Sequence, residues 1–444
     1  MAPARKIAIV GGGIIGATIA YELTQHLAAA TSQTPDQDAP NQDTPNQDTL
    51  DQTKHANLRS IESVTLFDRQ TPGNGATGAA FGLCMGVISR KTKGRAWDLR
   101  HRSLQRYPQL LASLADHLGH PLPHNPRGIV KLCFDPDERP RWQRLADLRQ
   151  TQGYSLHLWD PETLHHHYGL PIPHLAFAIA SPQDWQLQPR PLTQALLHVA
   201  QARGLTLHTD TPVHHITPQP SGSLQVTTAT GVDRFDRVIL TAGLPSPSLL
   251  PPDLLANAPT PFALEPVLGQ GARIRLPRPL SPQALPVLTA HDIHLVPLDR
   301  PLPDNTPPNN TLPNNTPPDY DQSGVDNAGV DNSGSYDYWL GATLEFQPDR
   351  RSDSGSTFGP DSSPWIPRPQ DWEHLWTQAL ALWPSLAEAE VLETWAGARP
   401  RPLGRSAPII EPWPGAESIV LATGHYRNGV LLAPATAQRV LELL

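Results

Sequence analysis

The stretch KIAIVGGGIIGATIAYEL, residues 6–23, changes character twice. Lys6 to Val10 is a short apolar run, Gly11 to Gly13 interrupt it, and from Ile14 onward apolar residues recur at helical spacing. The order expected is strand, tight turn, helix. In the Gly11-x-Gly13-x-x-Gly16 turn, glycines let the backbone approach a pyrophosphate, and the N-terminus of the next helix offers it amide donors. Further on, SVTLFDRQ (63–70) reads as a second strand closing on a carboxylate, Asp68, placed to accept hydrogen bonds from a ribose. A strand before the glycines, a helix after them and an acid at the end of the next strand together predict a βαβ unit that binds a dinucleotide. In the usual pattern the acid follows the glycines by about twenty residues; here a repeat between them accounts for the longer gap.

That repeat, PDQDA-PNQDT-PNQDT-LDQTK at 35–54, has a five-residue period, as does NTPPN-NTLPN-NTPPD at 305–319. Both are rich in Asp, Asn, Pro and Thr and nearly devoid of large apolar residues, so they cannot bury enough surface to fold. They are expected to be disordered insertions at tolerant loop positions, as are the segments around 332–335 and 351–364. Five residues are too few for a solenoid unit. The remaining chain has globular composition, and 444 residues suffice for two or three domains.

Charge and cysteine usage narrow the function. Lys and Arg number 34 against 42 Asp and Glu, a net charge of −8 that argues against a nucleic-acid or anionic-membrane partner. The two cysteines, Cys84 and Cys133, form no CxxC and no His/Cys metal spacing, which points away from disulfides and structural zinc and toward a reducing, cytoplasmic setting. His165, His166 and His167 are consecutive and cannot all face one ion, so they are expected in a polar loop, with no metal. No apolar run is long enough to span a membrane, and the N-terminal apolar stretch reads as a strand and turn, not a signal peptide.

Other elements follow from periodicity. GLTLHTDTPVHHI (204–216), SLQVTTAT (223–230) and FDRVILTAG (235–243) alternate like strands, the last ending in Ala242-Gly243; helices are expected at 98–118, 139–152, 190–203 and 370–382. GNGATGAAFGLCMGVIS (73–89) is a run of small residues that would let backbone lie against a bulky ligand. Near the C-terminus, TGHYRNGVLLAPATA (423–437) places Gly424, His425, Tyr426, Arg427, Asn428 and Gly429 ahead of an apolar helical run.

IVGGGIIGATIAYEL, DRVILTAG and TGHYRNGVLLAPATA together resemble the FAD-dependent D-amino-acid oxidase superfamily, and the C-terminal motif is most similar to glycine oxidases of thiamine-thiazole biosynthesis. The resemblance implies FAD and an α/β fold: a Rossmann-type FAD-binding domain of the glutathione-reductase kind, interleaved with an α+β substrate domain on a mixed or antiparallel sheet. The implied FAD-binding parts are 1–97 (with the 31–57 insertion), 186–255 and 395–444. The substrate domain would take 98–185 and 256–394, with an insertion at 299–337 and a loop at 351–364.

Carried over by position, the resemblance implies FAD contacts from Gly11, Gly13, Ile14, Ile15 and Gly16 at the pyrophosphate and from Asp68 and Arg69 near the ribose. Ala76, Thr77, Phe81, Gly82 and Leu83 would lie near the flavin and Val213 by the adenine. Ala242 and Gly243 end a middle strand, and His425, Tyr426, Arg427, Asn428, Gly429, Val430 and Leu431 supply the C-terminal contacts. For catalysis it implies an arginine clamp on the substrate carboxylate. Arg399, in TWAGARPRPLGRSAPII (394–410), matches that position, and Arg427 is the second candidate. A guanidinium suits the task because its fork matches a carboxylate and keeps its charge in a dry pocket. His294, in HDIHLVP (291–297), stands where the glycine oxidases carry a tyrosine, and Leu83 where a methionine is common. His425 is expected to pack on flavin or bond to backbone. The implied activity is oxidation of a small amino acid, with O2 as acceptor, by an enzyme that leaves room for a homo-oligomer. A dehydrogenase with another acceptor, and a flavin-binding protein without turnover, are the alternatives.

Overall fold

The computed structural model describes residues 5–31, 61–298, 336–342 and 367–444. The expected insertions and the 351–364 loop lie outside these residues except at two ends. The first helix runs to Thr31, and a strand begins at Tyr336, inside the range read as insertion. Asp337 explains that second difference: it is buried and accepts from Arg275 Nε at 2.7 Å, so the strand closes on an ion pair that composition alone does not reveal.

The first strand, Arg5–Val10, lies inside a six-stranded sheet. Its order in space is Ile409–Trp413, Ala416–Thr423, Arg237–Leu240, Arg5–Val10, Ile61–Phe67, Leu205–His208, parallel except for the first, edge strand. Ile7 to Val10 are buried without interruption because both faces are covered. Ile7 and Ile9 meet the helices Ile14–Thr31, Pro189–Ala202 and Gly429–Leu441, while Ala8 and Val10 meet Val213, Ile216, Leu224 and Val226 of a three-stranded meander. Since Arg5–Val10 pairs with Ile61–Phe67 on one side and Arg237–Leu240 on the other, chain direction diverges at its C-terminal end, and a crevice opens there.

The second large sheet has eight strands in the order Glu390–Pro402, Leu264–Leu276, Tyr336–Ala342, Ile293–Pro297, Val287–Ala290, Ile129–Cys133, Phe177–Ser181, His157–Trp159. All neighbours are antiparallel except Val287–Ala290 beside Ile129–Cys133. One face packs Val130, Leu132, Ala290, Ile293 and Leu340 on the helix Pro369–Leu382; the opposite face turns toward the crevice.

The chain is divided between these layers differently from the sequence expectation in two places. The helix Arg95–Leu118 buries Leu99, Tyr107, Leu110 and Leu114 in the core of Ile14–Thr31 and Gly429–Leu441, although 98–185 reads as substrate domain. The strand Glu390–Pro402 pairs with Leu264–Leu276 along its whole length, straight through the expected boundary at 394/395. The histidine triplet is also not a loop. Asp160 caps the helix Pro161–Tyr168 by accepting from Thr163 N, and His167 stacks on Trp159 at 4.6 Å. Successive helical side chains diverge by about 100°; the His166 and His167 rings meet only edge to face, with centroids 6.1 Å apart. Among the described residues no cluster could hold a metal, both cysteines are free and buried, and no helix is long and apolar enough to cross a membrane.

Candidate active site

One cavity of about 1430 Å³ runs from the glycine turn to the eight-stranded sheet. At the first end, the glycines serve different purposes. Gly11 has φ 113°, and a Cβ there would come within 2.7 Å of the Thr241 backbone. A Cβ at Gly16 would collide with the carbonyl of Gly11, so Gly16 keeps helix and strand in contact, set back from the cavity lining. Gly13, Ile14 and Ile15 do line it. First-turn amides have no intrahelical acceptor; that of Ile14 donates to Thr77 Oγ1 at 3.0 Å, which ties the small-residue loop to the helix start.

Asp68 lines the same end and is held by two amides: Gly12 N donates to Oδ2 at 2.6 Å and Gln70 N to Oδ1 at 3.0 Å. Burial raises its pKa despite these bonds. The carboxylate thus braces the glycine turn as well as facing the cavity. Arg69, Val213, Ala242 and Gly243 line the walls nearby. Gly243 has φ 68° with open space where a Cβ would stand.

The middle of the cavity is walled by Ala76, Thr77, Phe81, Gly82 and Leu83. Phe81 packs edge-on against Trp395 and tilted against Trp339, over Gly271 and Gly341, where a Cβ would strike its ring. The segment beyond is fixed from both sides. Asp184, fully buried, accepts from the amides of Gly86, Val87 and Ile88 at 2.7–2.8 Å and from Ser181 Oγ. Arg149, also buried, donates to the carbonyls of Val87, Ser89 and Lys91. Sequence reading missed both residues, which are distant in the chain from the loop they hold.

At the C-terminal motif, His425 is buried and its Nε2 lies 2.9 Å from Thr436 Oγ1, a side-chain partner where backbone or flavin was expected. Burial pushes its pKa down to about 3, so the ring is neutral. Tyr426, at φ 53°, opens a short turn, after which the helix Gly429–Leu441 begins with its N-terminus at the cavity. Tyr426, Asn428, Gly429 and Val430 line the cavity, and Leu431 lies in the core behind them. Arg427 sits at the rim, its Nε donating to Tyr426 Oη at 3.1 Å and its Nη1 lying 3.8 Å from Asp292.

Deeper in, Arg399 projects from Glu390–Pro402 across Gly269 of the neighbouring strand, where any Cβ would collide with the guanidinium, and Nη1 donates to the Leu268 carbonyl at 3.2 Å. His294 is buried nearby, with Nδ1 2.9 Å from Thr289 Oγ1. Burial again pushes its pKa down to about 3, with the positive fields of Lys131, Arg399 and Arg427 adding to the shift and Asp292 opposing it. Lys131, Thr289, Asp292 and Gly269 line the cavity and were not picked from the sequence. A lysine inside the apolar strand IVKLC was the one local signal available for this group.

A crevice at the ends of parallel strands, a glycine turn running into a helix N-terminus and a cavity that also reaches Arg399 are features of a dinucleotide-dependent oxidoreductase. The chain belongs to the DAO family, FAD dependent oxidoreductases, whose model matches residues 6–443. It is 24% identical to the glycine oxidase of Geobacillus kaustophilus (strain HTA426) over 440 residues, covering 99% of this chain and 92% of that protein. Its fold matches the crystal structure of glycine oxidase from Bacillus cereus ATCC 14579 with a TM-score of 0.70 at 21% identity, covering 99% of this chain and 94% of the other. L-proline dehydrogenase from P. horikoshii matches at 0.69 with 18% identity, covering 100% and 94%. The protein is thus an FAD-dependent enzyme related to glycine oxidase. The residues present fit FAD: the cavity exceeds the roughly 300–1,000 Å³ of ordinary small-molecule pockets, joins the glycine turn, middle strands and C-terminal motif, and has the first turns of two helices, Ile14–Thr31 and Gly429–Leu441, in its lining.

Proposed function

We propose that this enzyme oxidises a small amino acid, glycine or a related primary or secondary amine acid, to the imine, with O2 reduced to H2O2. The observation that carries this reading is the Arg399 guanidinium, laid over Gly269 in the same cavity as the glycine turn. Gly11, Gly13, Ile14 and Ile15 would hold the pyrophosphate, Asp68 and Arg69 the ribose, and Val213 the adenine. The 76–83 loop, Ala242, Gly243 and the His425–Val430 segment would surround the flavin. Bound FAD would supply the two-electron acceptor for the hydride lost from the substrate α-carbon, with O2 as the final oxidant.

Arg399 orients the substrate by pairing with its carboxylate, which fixes the α-carbon relative to the cavity floor. The amine would bind neutral, its lone pair forming the C=N bond as the α-hydrogen leaves as hydride; water then hydrolyses the imine to the 2-oxo acid and ammonia from a primary amine, or the corresponding amine from a secondary one. Neutral His294, bonded to Thr289, offers the amine a polar neighbour without adding charge. Phe81, Trp339 and Trp395 exclude water from one wall. Arg427, tied to Asp292 at the rim, lines the entrance while Arg399 does the clamping.

The test is an anaerobic screen of the FAD-loaded protein with glycine, sarcosine and D-amino acids. Bleaching of the visible flavin absorbance is expected with at least one, and none with any amino acid would overturn the proposal. Repeating the screen in air with peroxide detection separates an oxidase from a dehydrogenase that uses another acceptor. Arg399→Ala is expected to lower kcat/KM by about a hundredfold or more, the loss of a paired carboxylate, with flavin still bound. An unchanged KM would remove Arg399 from the substrate site.

A further inference from the structure

The helix Arg95–Leu118 turns one polar row toward the C-terminal motif. Arg100, Ser103 and Tyr107, three and four residues apart, share a face, and each meets the segment around the start of the helix Gly429–Leu441. Tyr107 Oη donates to the carbonyl of Val430. That carbonyl lacks its ordinary helical donor, because Pro434, four residues on, has no N–H. Ser103 Oγ accepts from Ala435 N at 3.3 Å, and Arg100 Nη2 donates to Asn428 Oδ1 at 3.3 Å.

The arginine differs from the other two in carrying charge. Arg100 is 8% exposed; its Nη1 donates to the Ala96 carbonyl at 2.7 Å, and its Nε has no partner. Burial pulls its pKa below the usual arginine value, yet a guanidinium keeps its proton. Among the described residues no carboxylate answers it, and the charged group that shares its field is Arg149, a second buried cation. Buried charges are ordinarily paired, so this one is left for what lies beyond Asn428.

Asn428 stands at the N-cap of Gly429–Leu441 and lines the cavity, but its side chain makes no cap bond. An N-cap asparagine ordinarily turns its oxygen onto the first amides of its helix. Here Arg100, which can only donate, holds that oxygen. The amide Nδ2 is thereby turned away from Arg100, and the first turn of the helix goes without a side-chain cap. Donors gather at this wall, backed by a buried cation and the positive end of the helix.

We propose that Arg100 is a positioning residue for the reaction: through Asn428 it sets positive charge behind the cavity wall, where it stabilises the negative charge of the reduced flavin. This rests on the flavin placement proposed above. Hydride transfer moves two electrons and one proton onto a neutral ring, which gains one negative charge. The substrate, its neutral amine becoming a protonated imine, gains one positive charge.

The test reads the flavin without an amino acid. Sulfite adds to flavin N5 and leaves one negative charge on the ring. Its dissociation constant, followed by loss of visible absorbance in the FAD-loaded full chain, therefore reports how the wall treats that charge. Arg100→Met is expected to weaken sulfite binding about tenfold, as for one hydrogen bond to a charged group. The two-electron midpoint potential should fall by the equivalent of about 30 mV. Arg100→Lys should recover most of both changes and Arg100→Gln little, since glutamine still bonds Asn428 but brings no charge. Asn428→Asp keeps Arg100 and gives it an anion, so it should weaken sulfite binding at least as far while raising the melting temperature; it decides the matter if Arg100→Met fails to hold flavin. A sulfite constant and potential unchanged in either variant overturn the proposal. So does full recovery by Arg100→Gln, which would make Arg100 an anchor for Asn428 alone, and so does a loss of FAD affinity with both readings at wild type. Failure of every amino acid to bleach the flavin would sink the oxidation proposed above and leave these readings valid.

Discussion

A Cβ at position 269 would collide with the guanidinium of Arg399, so the glycine is there for the arginine and not for the strand. Gly269→Ala is expected to push Arg399 off its seat and lower kcat/KM by about tenfold or more, since small misplacements of a binding group are costly, while the flavin spectrum is retained. A normal KM in that variant would show that the guanidinium reaches the substrate from another position. The buried histidines make a different prediction. His425 has its pKa lowered from the ordinary 6.5 to about 3, so the unfolded chain takes up a proton that the folded chain refuses. Its share of stability is present above 6.5 and is lost as pH falls toward 3. By pH 5 that amounts to about 2 kcal/mol. His425→Gln should flatten the fall between pH 6.5 and 5 relative to wild type in urea unfolding curves; parallel curves would count against a neutral His425.

At the scale of elements, the loop Gly86–Ile88 depends on an anion far away in sequence. Asp184 accepts all three of its amides, and burial lifts the carboxyl to about 6, so the anion is complete near neutral pH. Asp184→Asn turns a donor toward a donor and should cost about 2 kcal/mol, measured by urea unfolding at pH 7.5. A change within error would mean that the loop is held by Arg149 alone. Such links also explain what the sequence could tell. The glycine turn, Asp68 and the helices at 139–152 and 190–203 were legible because their determinants are local: apolar period, breakers and caps. Arg399 and the C-terminal motif were reached through resemblance. The Lys131–Thr289–His294 row was not legible, because its strands come from distant segments and only the register brings them side by side. That Gly16 and Leu431 sit behind the cavity lining was not legible for a related reason. Each belongs to a motif that reaches the cavity, but periodicity does not say which member turns into the core.

For the whole molecule, the six-stranded sheet carries the glycine turn and the C-terminal motif, the eight-stranded sheet carries Arg399, His294 and Lys131, and the cavity is walled by both. The ion pair of Arg427 with Asp292 spans this junction at the rim, partly exposed to solvent. Exposed pairs are screened by salt, whereas the buried neutral histidines are indifferent to it. The rim and wall cations should therefore draw anionic solutes inward at a rate that depends on the medium. Raising ionic strength from about 0.01 M to 1 M shortens the screening length from about 30 Å to 3 Å. It should lower kcat/KM several-fold while kcat stays level. A kcat/KM that ignores salt would mean that these cations hold substrate without steering it. In that picture Arg427 and Asp292 act as a filter on arrival, so the rate at which this enzyme finds its substrate is set partly by the salt around it.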